Sequence, residues 1–347
     1  MSEEPERAAA EPFLSVRDLS VRFATESGQV QAVDRLSFSV ERGRTLGIVG
    51  ESGSGKSVTS LAVLGLHNRD RTTVTGSIRL DGAELVGAGE PRLRSLRGSR
   101  MAMVFQDALT ALSPYHTVGD QIAETYRRHT RCTRRAAAER AVEMLGVVGI
   151  PSPRTRVKDY PHQFSGGMRQ RVMIAMALVC DPDLLIADEP TTALDVTVQS
   201  QILDLLAGLQ ETFRTSIVLI THDLGVIAGI AHDVLVMYAG RNVEQGPVED
   251  VLITPQHPYT AGLLASAPLL GGDVDLPLRP VPGNPPSLLA IPAGCAFHPR
   301  CGASSLLPAG HCSTERPVLS GTAPHLAACH LDREQRATLR RTEETSR

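Results

Sequence analysis

The period of the apolar positions changes several times along this chain, and each change predicts an element. From LSVRDLSVRF at 14–23, short β-rich pieces alternate with turns as far as TLGIVG at 45–50, an apolar run of strand length that ends at a glycine loop. A helix beginning near Lys56, with SVTSLAVLGL as its body, follows that loop. Between about 109 and 180 the pattern turns helical, through TRRAAAERAVEMLGVVGI and FSGGMRQRVMIAMAL. Two further apolar runs, DLLIAD at 183–188 and SIVLIT at 216–221, precede HDVLVMYAGRNVEQG, which reads as a strand and hairpin. Strands interleaved with helices predict an α/β fold whose sheet is mainly parallel and covered on both faces.

From about residue 266 the composition shifts to Pro, Gly and Leu, which predicts a separate small module over 266–335. Residues 1–12 read as a disordered leader and 336–347 as a polar tail. With 347 residues there is room for one sizeable core and an accessory module, not for two nucleotide-binding domains. A net charge of −3, 3% aromatic residues and no Trp argue against nucleic acid as the partner. No apolar run approaches the roughly 20 residues needed to cross a bilayer, and the acidic start MSEEPERAAAEP is unlike a signal peptide. The expected compartment is the cytoplasm, where six cysteines read as thiols or metal ligands in preference to disulfides.

The chemistry concentrates at strand ends. GESGSGKS at 50–57 fits G-x-x-x-x-G-K-[ST]. Gly50, Gly53 and Gly55, with Glu51, Ser52 and Ser54 between them, let successive backbone N–H groups curve round a phosphate; Lys56 reaches the β and γ phosphates and Ser57 offers a hydroxyl to Mg²⁺. Asp188 ends an apolar run, where a carboxylate can hold the metal through water, and Glu189 beside it can orient or deprotonate an attacking water. His222 stands at the end of SIVLIT, and Gln106 follows MAMVF, where its amide reaches metal or water. Ligands collect beyond the carboxyl ends of strands in an open α/β sheet, so Gly50, Asp188 and His222 are expected to converge. Phe23 reads equally as an adenine platform and as a core residue. In FSGGM a serine and two glycines open a helix, an arrangement suited to an anion, while Met168, Met173 and Met176 read as core filler.

Taken in order, the phosphate loop, Gln106, FSGGM, DEP, ALD at 193–195 and His222 resemble the ATPase subunits of ATP-binding cassette (ABC) transporters, over roughly residues 13–265. The resemblance implies a P-loop NTPase fold with a mainly parallel core sheet, an antiparallel β subdomain and a helical signature subdomain at about 109–180. It assigns Gln106 to the Q-loop, Asp195 to the D-loop and His222 to the switch histidine, and puts an aromatic, here Phe23, against adenine. Ser165, Gly166 and Gly167 match the signature motif, which in this family caps the nucleotide of the other subunit. Phe164 and Met168 depart from the commoner LSGGQ. SGGMRQRVMIAMAL, VFQDALTALSPYHTVGDQI, VEQGPVEDVLITPQHPYTAGLLASAP and the tail VPGNPPSLLAIPAGCAFHPRC resemble importers of dipeptides and oligopeptides.

Cys295, Cys301, Cys312 and Cys329 lack the C-x2-C pairs of common zinc sites, so spacing alone says little about metal. Some members of the resembled subgroup hold a [4Fe-4S] cluster through four cysteines of this extension; zinc and unmetallated thiols remain the other readings, and the long gap before Cys312 sets that residue apart. His298, His311, His325 and His330 are substitute or outer donors, and Cys132 and Cys180 read as structural. The resemblance implies an ATP- and Mg²⁺-dependent ATPase at the cytoplasmic face of the cell membrane. Its partners would be a second cassette ATPase, two permeases and, indirectly, an extracytoplasmic peptide-binding protein, with no nucleic acid. A nickel chelate or glutathione could replace the peptide without altering any motif. The rivals are a soluble cassette ATPase acting on nucleic acid or ribosomes, and a redox or metal sensor in the tail.

Overall fold

The computed structural model describes residues 11–26, 28–192, 194–266, 280–332 and 334–336. The leader at 1–10, Ala193 and the tail beyond 336 lie outside the described residues, as does 267–279 between cassette and extension.

Two sheets carry the architecture. The first is antiparallel, in the order Gly28–Val40, Leu14–Thr25, Thr72–Leu80 and Ala83–Glu84. The second has eight strands, ordered Ser320–Thr322, His325–Ala327, Arg241–Pro247, Asp233–Tyr238, Thr45–Val49, Ser216–Thr221, Leu184–Asp188 and Met101–Val104. From Asp233–Tyr238 to Met101–Val104 every pairing is parallel, whereas the other three strands run antiparallel to their neighbours. The extension therefore does not stand apart from the cassette. Its strand His325–Ala327 pairs with Arg241–Pro247 and lengthens the main sheet.

Apolar runs without alternation form the central strands because both faces are buried. Leu184, Ile186, Val218, Ile220, Leu235 and Met237 pack into a core shared with the antiparallel sheet. Their neighbours Leu185, Ala187, Ile217, Leu219, Val234 and Val236 point the other way, into the core built with the helices. The period-2 geometry of a strand thus divides one apolar sequence between two cores.

The helical region contains Val118–His129, Arg134–Val147 and Gly166–Leu178. Thr117 and Thr133 cap the first two, accepting from the N–H of Asp120 and Ala136. Met173 is buried and Met168 and Met176 pack against the same core. Cys180 is half-buried, and burial pushes its thiol up to about 11, which suits an inert packing residue.

Candidate active site

Strand Thr45–Val49 delivers the chain to Gly50, and the loop closes on helix Lys56–Val63. Gly50 and Gly55 take φ of +155° and +99°. A Cβ would lie 2.2 Å from the Met237 carbonyl oxygen at Gly50 and 2.5 Å from that of Ala32 at Gly55. Both positions therefore require glycine for close backbone approach as well as for conformation.

Lys56 is buried, and its Nζ donates to the carbonyls of Gly50 at 2.7 Å and Glu51 at 3.1 Å. Burial lowers its pKa, against the raising influence of Glu189, Asp188 and Glu51. Ser57 Oγ donates to Asp188 Oδ1 at 3.2 Å. Asp188 is itself buried, and desolvation raises its pKa despite that bond. Ser54 Oγ is buried without a hydrogen-bond partner. A curved glycine loop, an ammonium held only by carbonyls and an unsatisfied hydroxyl together fit a phosphate group. The Ser57 hydroxyl and the Asp188 carboxylate are oxygens of the kind that suits a hard cation such as Mg²⁺, whereas the Gln106 amide is engaged by Glu189.

Glu189 follows Asp188 in a left-handed conformation, φ +46°, with its N–H on the Ile220 carbonyl at 2.8 Å. A non-glycine residue pays a steric cost there, so the turn that aims this carboxylate is imposed by its surroundings. Gln106 Nε2 and Thr192 Oγ1 donate to Glu189 Oε2 at 3.0 and 2.9 Å, and His222 Nδ1 lies 3.7 Å from Oε1. Lys56, Ser57, Gln106, Asp188, Glu189 and His222 are thus gathered at the carboxyl ends of the parallel strands. Ser52 and Gly53 lie exposed at the loop's mouth. Phe23 is half-buried and meets His67 edge-on, with ring centroids 5.4 Å apart.

The signature turn keeps other company. Ser165 Oγ accepts from the Met168 N–H at 3.3 Å and caps its own helix. A Cβ on Gly166 would meet Leu194 at 3.6 Å, and one on Gly167 would meet Val198 at 2.5 Å. Asp195 caps the helix Val196–Phe213, accepting from the Val198 N–H at 3.0 Å. Ser165 and Gly166 remain exposed.

Cys295, Cys301, Cys312 and Cys329 line one pocket with His257 and His330. Cys312 is brought there because the Cys295 N–H donates to its carbonyl at 2.8 Å. Burial pushes the Cys295 and Cys301 thiols up to about 11 and about 12. Among the described residues, however, no three His, Cys, Asp or Glu side chains stand in an arrangement that could hold a metal ion. The thiols share a pocket without the geometry of ligands. Of the four histidines considered as donors, His325 instead bonds Glu244 at 2.7 Å and His298 the Cys295 carbonyl at 2.9 Å.

Three residues escaped the sequence reading. Tyr259 OH accepts from the Glu51 N–H at 2.9 Å, and Arg300 pairs with the Glu51 carboxylate. His257 is fully buried, with Nδ1 accepting from the Tyr259 N–H and Nε2 unpartnered. Two of them lie in QHPYT, which stands out only by resemblance, and the third in FHPRC, where His298 and Cys301 are the residues that stand out.

A phosphate loop, a paired acidic strand end, and a separate serine–glycine helix start on one sheet define a nucleotide-hydrolysing cassette. Residues 33–192 match the family model described as ABC transporter, and 243–305 match Oligopeptide/dipeptide transporter, C-terminal region. The oligopeptide transport ATP-binding protein OppD of Escherichia coli (strain K12) is 50% identical over 92% of this chain and 93% of that protein. The dipeptide transport ATP-binding protein DppD of Bacillus subtilis (strain 168) is 51% identical over 84% of each. Among solved structures, the dimeric bacterial ABC transporter cassette MJ0796 superposes with a TM-score of 0.61 at 25% identity, covering 68% of this chain and 98% of that one. The chain belongs to the ATP-binding proteins of ABC transporters, in their oligopeptide/dipeptide subgroup.

Proposed function

We propose that this chain hydrolyses ATP to drive peptide import, beside a second cassette ATPase and two membrane permeases. One observation carries the catalytic part: Glu189 is gripped by Gln106 and Thr192, close to His222 and next to the Lys56, Ser57 and Asp188 group. The peptide class is supported by the match over 243–305 and by the relatives' names.

On ATP binding, Lys56 exchanges two carbonyls for the β and γ phosphates, which restores a counter-charge to a buried ammonium. Ser57, Asp188 and Gln106 are the groups that would hold Mg²⁺, which when bound neutralises charge on the phosphates. Phe23 supports the adenine. Glu189 accepts a proton from the attacking water as its oxygen bonds to the γ-phosphorus and the bond to the bridging oxygen breaks, releasing ADP and phosphate. His222 donates to the γ-phosphate. Ser165, Gly166 and Gly167 serve the nucleotide of the second ATPase, so each chain holds half of two sites, and the Asp195 turn braces that edge. Closure would move the permeases through the surface at about 109–118. The chain then works at the cytoplasmic face of the membrane; among the described residues no helix is long and apolar enough to cross one.

The four cysteines line one pocket without ligand geometry, so they would hold a [4Fe-4S] cluster only after their side chains rearrange. Anaerobically purified protein with visible charge-transfer absorbance and bound iron would bear this out, and colourless, iron-free protein would reduce the quartet to thiols.

The decisive experiment tags the Glu189→Gln variant, solubilises its own membranes in detergent with ATP present, and identifies what co-purifies. Two multi-spanning permeases and a second ATPase establish the reading, and the solute bound by the accompanying binding protein separates peptide from nickel chelate or glutathione. Recovery only in the soluble fraction, on ribosomes or nucleic acid, overturns it.

A further inference from the structure

Glu51 places a carboxylate inside a loop whose ligand is a polyanion. Left alone it would repel phosphate, because like charges a few ångströms apart in a partly desolvated site interact strongly. The structure supplies its counter-charge from a residue 249 positions away, Arg300 of the carboxyl-terminal extension. The pairing is bidentate, NH1 to Oε2 at 2.7 Å and NH2 to Oε1 at 3.0 Å.

Arg300 is built in on every side. Its remaining N–H groups donate to the Pro282 carbonyl at 2.7 Å, the Val281 carbonyl at 3.2 Å and Tyr238 OH at 3.2 Å. All five guanidinium donors therefore have acceptors. The group also lies 5.7 Å from the Tyr238 ring centroid and 5.8 Å from that of Phe297. Its side chain is only 5% exposed. From the other side, Tyr259 OH accepts from the Glu51 N–H. Backbone and carboxylate of one phosphate-loop residue are both held by elements that follow the last parallel strand.

We infer that Arg300 is a positioning residue of the ATP site: it neutralises and fixes Glu51, so the extension completes the phosphate loop. The inference rests on ATP binding at that loop. Its opposite is a plain staple, in which the ion pair only fastens the extension to the cassette.

Glu51 distinguishes the two. A staple broken by Arg300→Ala stays broken when Glu51 is also neutralised, whereas an electrostatic defect is relieved. The full chain is titrated with a fluorescent ATP analogue and Mg²⁺, and thermal melting is recorded for each variant. Arg300→Ala is expected to weaken nucleotide binding about tenfold, in line with an unpaired, partly buried charge. Adding Glu51→Gln should return the dissociation constant to within about threefold of the native value, while the melting temperature stays at that of the single variant. Unchanged affinity in Arg300→Ala, or a double variant as weak as the single one, would overturn the inference. Should Arg300→Ala not fold, Arg300→Gln, which removes the charge and keeps a donor amide, is compared with and without Glu51→Gln. Tighter binding on neutralising Glu51 supports the inference and no change refutes it. Failure of the native chain itself to bind nucleotide would instead count against the ATP-site reading.

Discussion

Gly166 and Gly167 stand side by side in the signature turn, yet the structure predicts opposite consequences for replacing them by alanine. Alanine keeps the backbone N–H and adds one methyl, so only the space around the Cβ matters. At Gly167 that methyl falls 2.5 Å from Val198 Cγ1, on a stiff β-branched side chain of the helix Val196–Phe213. Overpacking of this kind costs about 1–3 kcal/mol, against up to about 1 kcal/mol regained in helix propensity. Gly167→Ala should therefore destabilise the isolated chain by about 1 kcal/mol. At Gly166 the nearest atom is Leu194 Cδ2 at 3.6 Å, an ordinary contact, and the position is exposed. Gly166→Ala should leave urea-unfolding stability within about 0.5 kcal/mol of native and nucleotide affinity of the isolated chain unaltered. Its methyl obstructs only a group approaching from outside. If that group is the γ-phosphate on the second ATPase, turnover by the assembled complex should fall at least about tenfold, as for loss of a preorganised anion contact. Native turnover by Gly166→Ala in the assembled complex would refute the outward-facing signature.

The carboxylate of Glu244, fully buried, accepts from the N–H groups of Gln256 at 2.6 Å and His257 at 2.9 Å and from His325 at 2.7 Å. Glu244→Ala leaves those donors unpaired and should cost about 3 kcal/mol or more in chemical unfolding; a loss below about 1 kcal/mol would show that the strand His325–Ala327 is not held through it. His257 is fully buried, and desolvation pushes its pKa down to about 3 from 6.5. The unfolded chain then binds one more proton than the folded chain between those values, so this residue's share of stability is intact above pH 6.5 and falls as pH drops, by up to about 1.4 kcal/mol per pH unit. Unfolding curves at pH 7, 6 and 5 should show a shallower decline for His257→Gln; parallel declines would mean that His257 titrates normally.

What was legible in the sequence was local. Gly50–Ser57 is a contiguous string, and the need for glycine at positive φ shows directly in the residue type. Asp188 and His222 each end an apolar run, and the rule that strand carboxyl ends share one edge was enough to bring them together with Gly50. The two-way burial of the central strands followed in the same manner, because a run without alternation has no solvent face. Asp195 was legible as a motif member, whereas its work as a helix cap appears only in the hydrogen bond to Val198.

The extension was less legible, and the reason is physical. Its sequence is poor in helical or strand periodicity because Ser320–Thr322 and His325–Ala327 span three residues each, too short to alternate visibly. Such strands are stable only on an existing edge, which Arg241–Pro247 provides. The composition break near residue 266 therefore marked a change in how the chain is stabilised, and the sheet runs across it. Arg300 shows the same limit from the side of function. Nothing in FHPRC announces a partner, and in GESGSGKS the acidic residue reads as a variable position between glycines. The constraint becomes visible only when a carboxylate beside a phosphate site is asked where its counter-charge lies, and a guanidinium with all five donors engaged answers it.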